Sequence, residues 1–340
     1  RAILNVLVEI PALKPYVNTP HSFGGLRKAQ TDDRAKGDGI SAVPAAIKAV
    51  LDGIGRGAGW VAAADITGFF TKVPKSTVMG IIRGAIKDDD LMALLEAAIS
   101  VELANLSELR KFADQFPIED IGVAQGNSLS PLLGNILLAA FDNAMNEGDC
   151  RCIRYIDDFV ILAPTRKAAD ARLRKARRLL EEFDMELAPE KSSKQAHEVS
   201  KGFEFLGIEI SAGFVRPAKR ARTKFISSID AQLDASKNAI TGLRHGHKLD
   251  PKLALIATLK RIDGMMDGWG KHYWFCNDRH LFQTVDEKVR LAIGAYLGAY
   301  ADTRSRLPEG KAHLPLGLTN LGEMQRSPFI YPKTAKQAPS

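Results

Sequence analysis

The chain has 340 residues, of which 45% are hydrophobic and 26% charged, and its formal net charge is +7. This is the composition of a globular protein with about two or three domains of roughly 100 to 200 residues each. It excludes a membrane-spanning protein, because no apolar stretch approaches the ~20 residues that a span needs, and a disulfide-stabilised scaffold, because there are three cysteines in all. We expect an intracellular protein with reduced, packed thiols.

The positive charge is concentrated in the C-terminal part of the chain. Residues 216–300 contain 15 Lys and Arg against 8 Asp and Glu, whereas the rest of the chain has 32 of each kind. Such a basic segment is typical of a module that binds phosphates, but a solvated helical surface has the same composition. Charge alone therefore does not decide whether the chain binds a polyanionic partner.

The first 60 residues mix a helical pattern with a loop rich in glycine and charge at 24–41. The chain begins at Arg1 within an apolar run, so we expect further sequence upstream. The following segment, Trp60 to Phe70, is predicted to be a β-strand that ends at Asp65 and then turns.

Two helical regions follow that strand. Residues 76–106 have helical periodicity with a break near a run of aspartates. Residues 121–146 are predicted to be a loop that leads into an apolar helix, with Ser130 as the N-cap and Pro131 at the first helical position.

The second half of the chain begins with a predicted β-hairpin at Cys152–Ala163. A basic helix is predicted from Thr165 to about Phe183, and a small hairpin at residues 202–217. Helical pattern dominates from Lys219 onward, and the tail after about Thr303 is rich in proline. This order predicts an α+β core with a helical appendage.

Three aspartates stand at the ends of predicted strands. Asp65 ends one strand, and Asp157 and Asp158 lie at the tip of the first hairpin. Carboxylates brought together in this way repel one another unless cations lie between them. Mg²⁺ accepts one or two carboxylates together with substrate phosphates, and a pair of such ions assists in-line phosphoryl transfer. Taken alone, however, an Asp-Asp pair is far more often a solvated turn than a metal site.

The motifs around these aspartates resemble those of reverse transcriptases. The similar stretches are, in chain order, AADITGFF, VAQGNSLSPLLGNILL, YIDD, LAPEKS and FEFLGIEI. They resemble the first palm motif, the motif beneath the templating base and incoming nucleotide, the signature hairpin, the motif after it and the primer-grip hairpin. All of them lie in this order within residues 60–210, which argues against agreement by chance.

The resemblance implies a role for individual residues. Two Mg²⁺ or Mn²⁺ ions would be held by Asp65, Ile66 through its backbone carbonyl, Asp157 and Asp158. The catalytic residues would be these three aspartates and Lys191, which matches the family position whose residue is suspected of protonating pyrophosphate. The nucleotide would be contacted by Phe70 as a steric gate against ribonucleotides, Gln125 and Gly126. The primer end would be positioned by Tyr155, Ile156, Phe205, Leu206 and Gly207. The alternatives are a core phenylalanine at position 70 and a water-facing glutamine at position 125.

Other stretches are similar to group II intron-encoded reverse transcriptases. These are QGNSLSPLLGNILLAAFD, the fingers-like YVNTPHSFGGLRK, and GWGKHYWFCNDRHLFQTVDEKVRLAI, which matches the helical thumb known as the maturase or X domain. The resemblance implies a right-hand polymerase of the α+β class with a palm of antiparallel sheet and helices. Its parts would be partial fingers at 1–59, the palm with the primer-grip hairpin at 60–215, an α-helical thumb at 216–302 and a C-terminal tail at 303–340.

Two further groups of residues have competing interpretations. The basic residues of the helix at 165–183 favour an amphipathic outer palm helix over direct contact with nucleic acid. In the thumb, Trp269 and Tyr273 are expected to pack in a helix core rather than to stack on a duplex, because aromatic residues at helical spacing usually do so.

The sequence also departs from that family. We expect the earlier fingers motifs upstream of Arg1, and we expect no DNA-binding or endonuclease domain after the thumb. The chain thus looks more like a free-standing, host-adopted bacterial enzyme in the cytoplasm, and some enzymes of this type with isoleucine in the hairpin are associated with DNA break repair. Ile156 is larger and stiffer than the alanine of most intron-encoded relatives. We expect it to favour short or weakly paired primers.

The expected activity is therefore RNA-directed, and also DNA-directed, DNA synthesis from primer 3′ ends with dNTPs. Its expected partners are an RNA or DNA template and a DNA primer. We expect no membrane partner, and the sequence leaves open whether the chain forms a homodimer. The expected role is break repair through microhomology-primed synthesis. The alternatives are a maturase-type RNA-binding protein that assists group II intron splicing, and a phage-defence or CRISPR-associated reverse transcriptase.

Overall fold

The computed structural model describes residues 1–25, 42–100, 120–211, 213–318, 321–322 and 324–330. The chain divides into two compact units. The first unit comprises Arg1–Lys219 and Phe275–Asp278, and the second comprises Arg220–Trp274 and Arg279–Ser340. Most of the predicted loop at 24–41, and the end of the predicted helical region at 101–106, lie outside the described residues. The three boundaries between the four predicted parts stay predictions.

The first unit combines helices with two antiparallel sheets, which confirms the α+β class. Its helices are α1 (Ala2–Leu7), α2 (Lys14–Val17), α3 (Ala42–Gly55), α4 (Lys75–Ala85), α5 (Asp89–Ile99), α6 (Ser130–Leu137), α7 (Ala139–Met145) and α8 (Arg166–Glu181). One sheet has the order β2-β3-β1-β4 and consists of β1 (Trp60–Asp65), β2 (Arg151–Tyr155), β3 (Asp158–Ala163) and β4 (His197–Glu198). The other sheet consists of β5 (Phe203–Phe205), β6 (Ile208–Ser211) and β7 (Phe214–Pro217).

The central strands of the larger sheet are mostly apolar, and most of their residues are buried. Every residue of β3 after Asp158 is buried, up to Ala163. Helix α8 packs against β1 and β3, and it buries Ala169, Leu173 and Ala176 at helical spacing. Continuous apolar strands of this kind form the rigid part of a core. The ends of β1 and β3, where the aspartates lie, are therefore held by a packed sheet.

Local hydrogen bonds explain where the helices begin. The break in the first helical region falls between α4 and α5, where the Asp88 carboxylate accepts the Leu91 amide hydrogen at 2.9 Å. The prediction for Ser130 was wrong, because its hydroxyl donates to the Ala124 carbonyl at 2.9 Å. The N-cap position is Leu129.

Two basic side chains of α8 donate hydrogen bonds to backbone carbonyls at the C-terminal end of α7. Arg172 donates to the backbone carbonyls of Ala144 and Glu147 at 2.6 and 2.7 Å. Lys175 donates to the same Ala144 carbonyl at 2.9 Å. Cations at a helix C-terminus satisfy its free carbonyls and its dipole. These contacts support the interpretation of α8 as a packed structural helix.

The second unit is helical, with α9 (Lys219–Gly242), α10 (Leu255–His272) and α11 (Arg279–Ser305). Trp269 packs against Phe225 with ring centroids 4.6 Å apart, and against Tyr273 at 4.9 Å. The predicted packing role of Trp269 and Tyr273 is thus confirmed. The cysteines are free, with Cys150 and Cys152 buried. Within the described residues, no helix has both the length and the apolar character that crossing a membrane would require.

Candidate active site

Strand pairing brings the three predicted aspartates together. In the register of β1 against β3, Asp65 lies directly opposite Asp158. The Ile66 amide, one residue further along, donates to the Asp157 carbonyl at 3.0 Å. The three residues therefore converge at one end of the central strands, and the backbone ladder fixes their separation.

The turn between β2 and β3 has an unusual backbone. It consists of Ile156 and Asp157, and Ile156 has φ of 62°. A β-branched residue in the left-handed region costs about 1–3 kcal/mol, and such strain is concentrated at functional sites. Among the described residues, the other non-glycine residues with positive φ are Asp184 and Leu206. The surrounding structure must therefore hold Ile156 in place.

Two carboxylates of this cluster, Asp157 and Asp158, have raised pKa values. Burial raises the pKa of Asp157, and the charge of Asp65 acts in the same direction. Burial followed by the charges of Asp65 and Asp157 raises the pKa of Asp158 to about 7. The cluster therefore carries more negative charge than its protein neighbours neutralise, which is the electrostatic condition for binding cations.

Lys191 lies against Asp65 because its segment pairs along β1. The Ala188 amide donates to the Asp65 carbonyl at 2.8 Å, and the Asp65 amide donates to the Ser192 hydroxyl at 3.1 Å. The Lys191 ammonium group donates to the two carboxylate oxygens of Asp65 at 3.2 and 3.4 Å. This hydrogen bond raises the pKa of the exposed lysine. The structure thus brings the predicted catalytic lysine to the first predicted metal ligand.

The donor set fits Mg²⁺ or Mn²⁺ as a site completed by substrate. No three His, Cys, Asp or Glu side chains within the described residues form a ready-made metal cage. Mg²⁺ usually takes one or two protein carboxylates and fills its other positions with water and substrate phosphates. Asp65, whose side chain is 17% exposed, offers oxygen ligands beside Asp157 and Asp158. A closed site would leave no room for a phosphate.

The residues predicted to contact the nucleotide lie in two segments of the chain, which one backbone hydrogen bond joins. Phe70 is half-buried in a short 3-10 turn, where its ring packs 5.3 Å from that of Phe69. Its carbonyl accepts the Val123 amide hydrogen at 2.7 Å. Gln125 and Gly126 follow in the same loop and are exposed, and φ of 86° at position 126 suits glycine. The structure therefore brings Phe70 near this loop while leaving Gln125 free to reach a ligand.

The predicted primer-grip turn contacts the catalytic hairpin. Leu206 and Gly207 form a two-residue turn with φ of 53° and 72°, as in type I′ hairpins. The Leu206 backbone amide hydrogen-bonds the Asp158 carboxylate and opposes the rise in its pKa. Phe205 is buried beneath the turn. The sequence predicts a small hairpin at residues 202–217, but nothing in the sequence indicates that the Leu206 amide binds Asp158.

A glycine in α6 makes room for the ring next to Phe70. A Cβ atom at Gly134 would lie 2.8 Å from Cε1 of Phe69. Gly134→Ala should gain roughly 0.5–1 kcal/mol of helix stability and lose about 1–3 kcal/mol through overpacking. We therefore expect a net loss of about 1 kcal/mol in the free energy of unfolding, measured by urea denaturation.

Gly80→Ala is the matched control for that substitution. Gly80 lies in α4, and a Cβ atom there would meet nothing within 4 Å. The same change should therefore stabilise the protein at this position. Equal stability of the two variants would show that Phe69 moves aside at no cost.

Comparison with known proteins identifies the segment that carries this cluster. Residues 51–210 match the family model described as reverse transcriptase (RNA-dependent DNA polymerase). The chain is 26% identical over 181 residues to Protein YkfC of Escherichia coli (strain K12). This match covers 44% of this chain and 46% of YkfC. The chain thus spans about half the length of that relative.

Two solved structures share a weaker likeness. Apo telomerase from Candida tropicalis, truncated from its C-terminal domain, has a TM-score of 0.41 and 13% identity over 62% of this chain and 43% of that one. Telomerase from Candida albicans, in complex with a fragment of telomeric RNA, has a TM-score of 0.39 and 13% identity over 92% of this chain and 51% of that one. Scores this low do not bear on what this chain binds.

Proposed function

We propose that the chain, whose residues 51–210 match the family model described as reverse transcriptase, extends the 3′ end of a DNA primer with dNTPs on an RNA or DNA template. The observation that carries the proposal is the convergence of Asp65, Asp157 and Asp158 through the pairing of β1 with β3. A carboxylate cluster at the end of a rigid sheet is suited to phosphoryl transfer.

Each catalytic residue has a task that its contacts support. Asp65, Asp157 and the Ile66 carbonyl would hold two Mg²⁺ or Mn²⁺ ions, which when bound would activate the primer hydroxyl and neutralise the leaving pyrophosphate. Asp158, tied to the Leu206 amide, shapes the electrostatic field of the site. Lys191, whose ammonium lies on Asp65, is near enough to supply a proton from Nζ to pyrophosphate.

The nucleotide and primer contacts follow from the same arrangement. Gln125 and Gly126 would line the nucleotide on the loop side, and Phe70 would close the pocket near the sugar. Tyr155 at the end of β2, Ile156 in the turn that follows it, and the Leu206–Gly207 turn with Phe205 before it would position the primer end. Their shared contact with Asp158 supports this assignment, because a shift of either turn would move that carboxylate.

Phe70 should select against ribonucleotides. Phe70→Val removes the ring beside the sugar, and we expect ribonucleotide incorporation relative to dNTP incorporation to rise by about tenfold to a hundredfold. Single-nucleotide insertion kinetics with dCTP and CTP measure the ratio. Phe70→Tyr, which keeps the ring, should retain discrimination. Unchanged sugar selection in the valine variant would leave Phe70 as a core residue only.

The proposed activity is tested by primer extension on matched RNA and DNA templates, with Mg²⁺ or Mn²⁺. Substrates whose 3′ ends carry short microhomologies test the proposed role in break repair, which the rigid, left-handed Ile156 turn supports. Synthesis on both templates, with short paired ends extended well, is expected. Absence of synthesis with either ion would reject the polymerase. Splicing assistance that survives loss of all three aspartates would favour the maturase alternative.

A further inference from the structure

A fully buried arginine lies next to the turn that carries Asp157 and Asp158. Arg154 is 0% exposed, and its Nη1 donates to the Ile156 carbonyl at 2.9 Å. We infer that Arg154 is a positioning residue that holds this turn in its left-handed conformation and thereby sets the catalytic aspartates. The inference rests on the proposed function for its link to catalysis.

The hydrogen bond from Arg154 acts on the peptide unit that orients Asp157. The carbonyl of Ile156 and the amide of Asp157 belong to the same planar group, and that amide hydrogen-bonds the Asp157 carboxylate. Ile156 itself resists the required φ of 62°, because its branched Cβ crowds the backbone. Fixing its carbonyl therefore fixes both the strained residue and the aspartate after it.

The guanidinium is fixed in turn by groups from separate segments. Its Nε and Nη2 donate to the Asp142 carboxylate of α7 at 2.8 and 2.6 Å, and Nη2 also donates to Oδ1 of Asn135 in α6 at 3.1 Å. The Ser22 hydroxyl donates to the same Asn135 oxygen at 2.9 Å. All of these side chains are buried. A planar fork can serve the carboxylate, the amide and the carbonyl together, whereas a lysine ammonium cannot.

A second contact holds the turn from the side. The segment around Ser22 pairs with β2, since the Arg154 amide donates to the His21 carbonyl at 2.8 Å and the Phe23 amide to the Arg154 carbonyl at 2.9 Å. A Cβ atom on Gly24 would lie 2.6 Å from Cγ1 of Ile156. The isoleucine therefore packs directly on this glycine, and its conformation is determined by both contacts.

The test compares Arg154→Lys with the double variant Arg154→Lys/Ile156→Gly. The lysine keeps a positive charge beside Asp142 but lacks the planar guanidinium that donates to the Ile156 carbonyl. We therefore expect kcat for primer extension to fall about ten- to a hundredfold, with little change in KM for dNTP. Hydrogen exchange of the peptide spanning residues 151–163 should become faster. Glycine adopts positive φ without help, so the double variant should recover most of the activity of Ile156→Gly alone.

Arg172→Lys is the matched control, because Arg172 also donates to two backbone carbonyls but lies on α8, at the end of α7. It should leave kcat and the exchange of residues 151–163 unchanged. Asn135→Ala is the milder variant if Arg154→Lys does not fold. It should lower kcat in the same direction and be rescued by Ile156→Gly.

Two results would overturn the inference. One is that Arg154→Lys keeps the kcat and the hydrogen exchange of the wild type. The other is that Arg154→Lys lowers kcat by the same factor in the wild-type protein and in Ile156→Gly. A wild-type protein that extends no primer would reject the proposed function instead. In that case, hydrogen exchange would still show whether Arg154 holds the turn.

Discussion

Asp157→Asn should lower kcat for primer extension by at least about a thousandfold, as expected when transition-state charge stabilisation worth several kcal/mol is lost. The amide keeps the size of the carboxylate but removes the anionic oxygen that a divalent ion requires. Asp65→Asn should have the same effect. Steady-state extension of a labelled primer at saturating Mg²⁺ and dNTP measures the loss.

Asp157→Asn should not destabilise the fold. Asp157 and Asp158 are partly buried and face the charge of Asp65, which disfavours their ionised forms. Replacing one of them by a neutral isostere removes that repulsion, so the melting temperature should stay the same or rise. A fall of several degrees would mean that the carboxylate serves the fold.

Asp184→Asn is the control for these variants. Asp184 is exposed and has φ of 53°, a conformation that asparagine accepts readily. It should retain wild-type extension. Metal-dependent synthesis that persists when Asp157 and Asp158 are both replaced would contradict the assignment of the active site.

The convergence of the aspartates could be predicted because it depends on strand pattern and motif order. β1 and β3 are short apolar strands that each place a carboxylate at one end, and their antiparallel pairing brings these carboxylates together. The register of such strands is well determined, since a slip by one residue would turn every side chain to the other face. The third strand of the small sheet, β7, was missed, because only a hairpin is indicated by the pattern at 202–217.

The support beneath the hairpin could not be predicted from the sequence. A charged residue inside the apolar strand β2 indicates that Arg154 has a buried partner, but its partners lie on two different helices, and no local pattern selects Asp142 from the other acidic residues. The left-handed conformation of Ile156 is equally hidden, because β-branched residues ordinarily avoid it. Both depend on tertiary contacts that override local preference.

Removing the partner of Arg154 should cause a large loss of stability. Asp142 is 2% exposed and accepts two hydrogen bonds from the guanidinium. Asp142→Leu would leave an uncompensated charge in the core, so the free energy of unfolding should fall by about 3–5 kcal/mol. Urea denaturation followed by circular dichroism measures this loss. A loss below about 1 kcal/mol would mean that water reaches the guanidinium.

Replacing both partners should separate stability from catalysis. In Asp142→Leu/Arg154→Met the buried charges are gone, and apolar replacements of a buried ion pair are often neutral or stabilising. The double variant should therefore regain most of the lost stability, yet it should extend primers as poorly as Arg154→Lys, because nothing donates to the Ile156 carbonyl. If activity returned together with stability, Arg154 would serve only the core. A stable but slow enzyme would show that this buried charge pair is retained for the geometry of the turn.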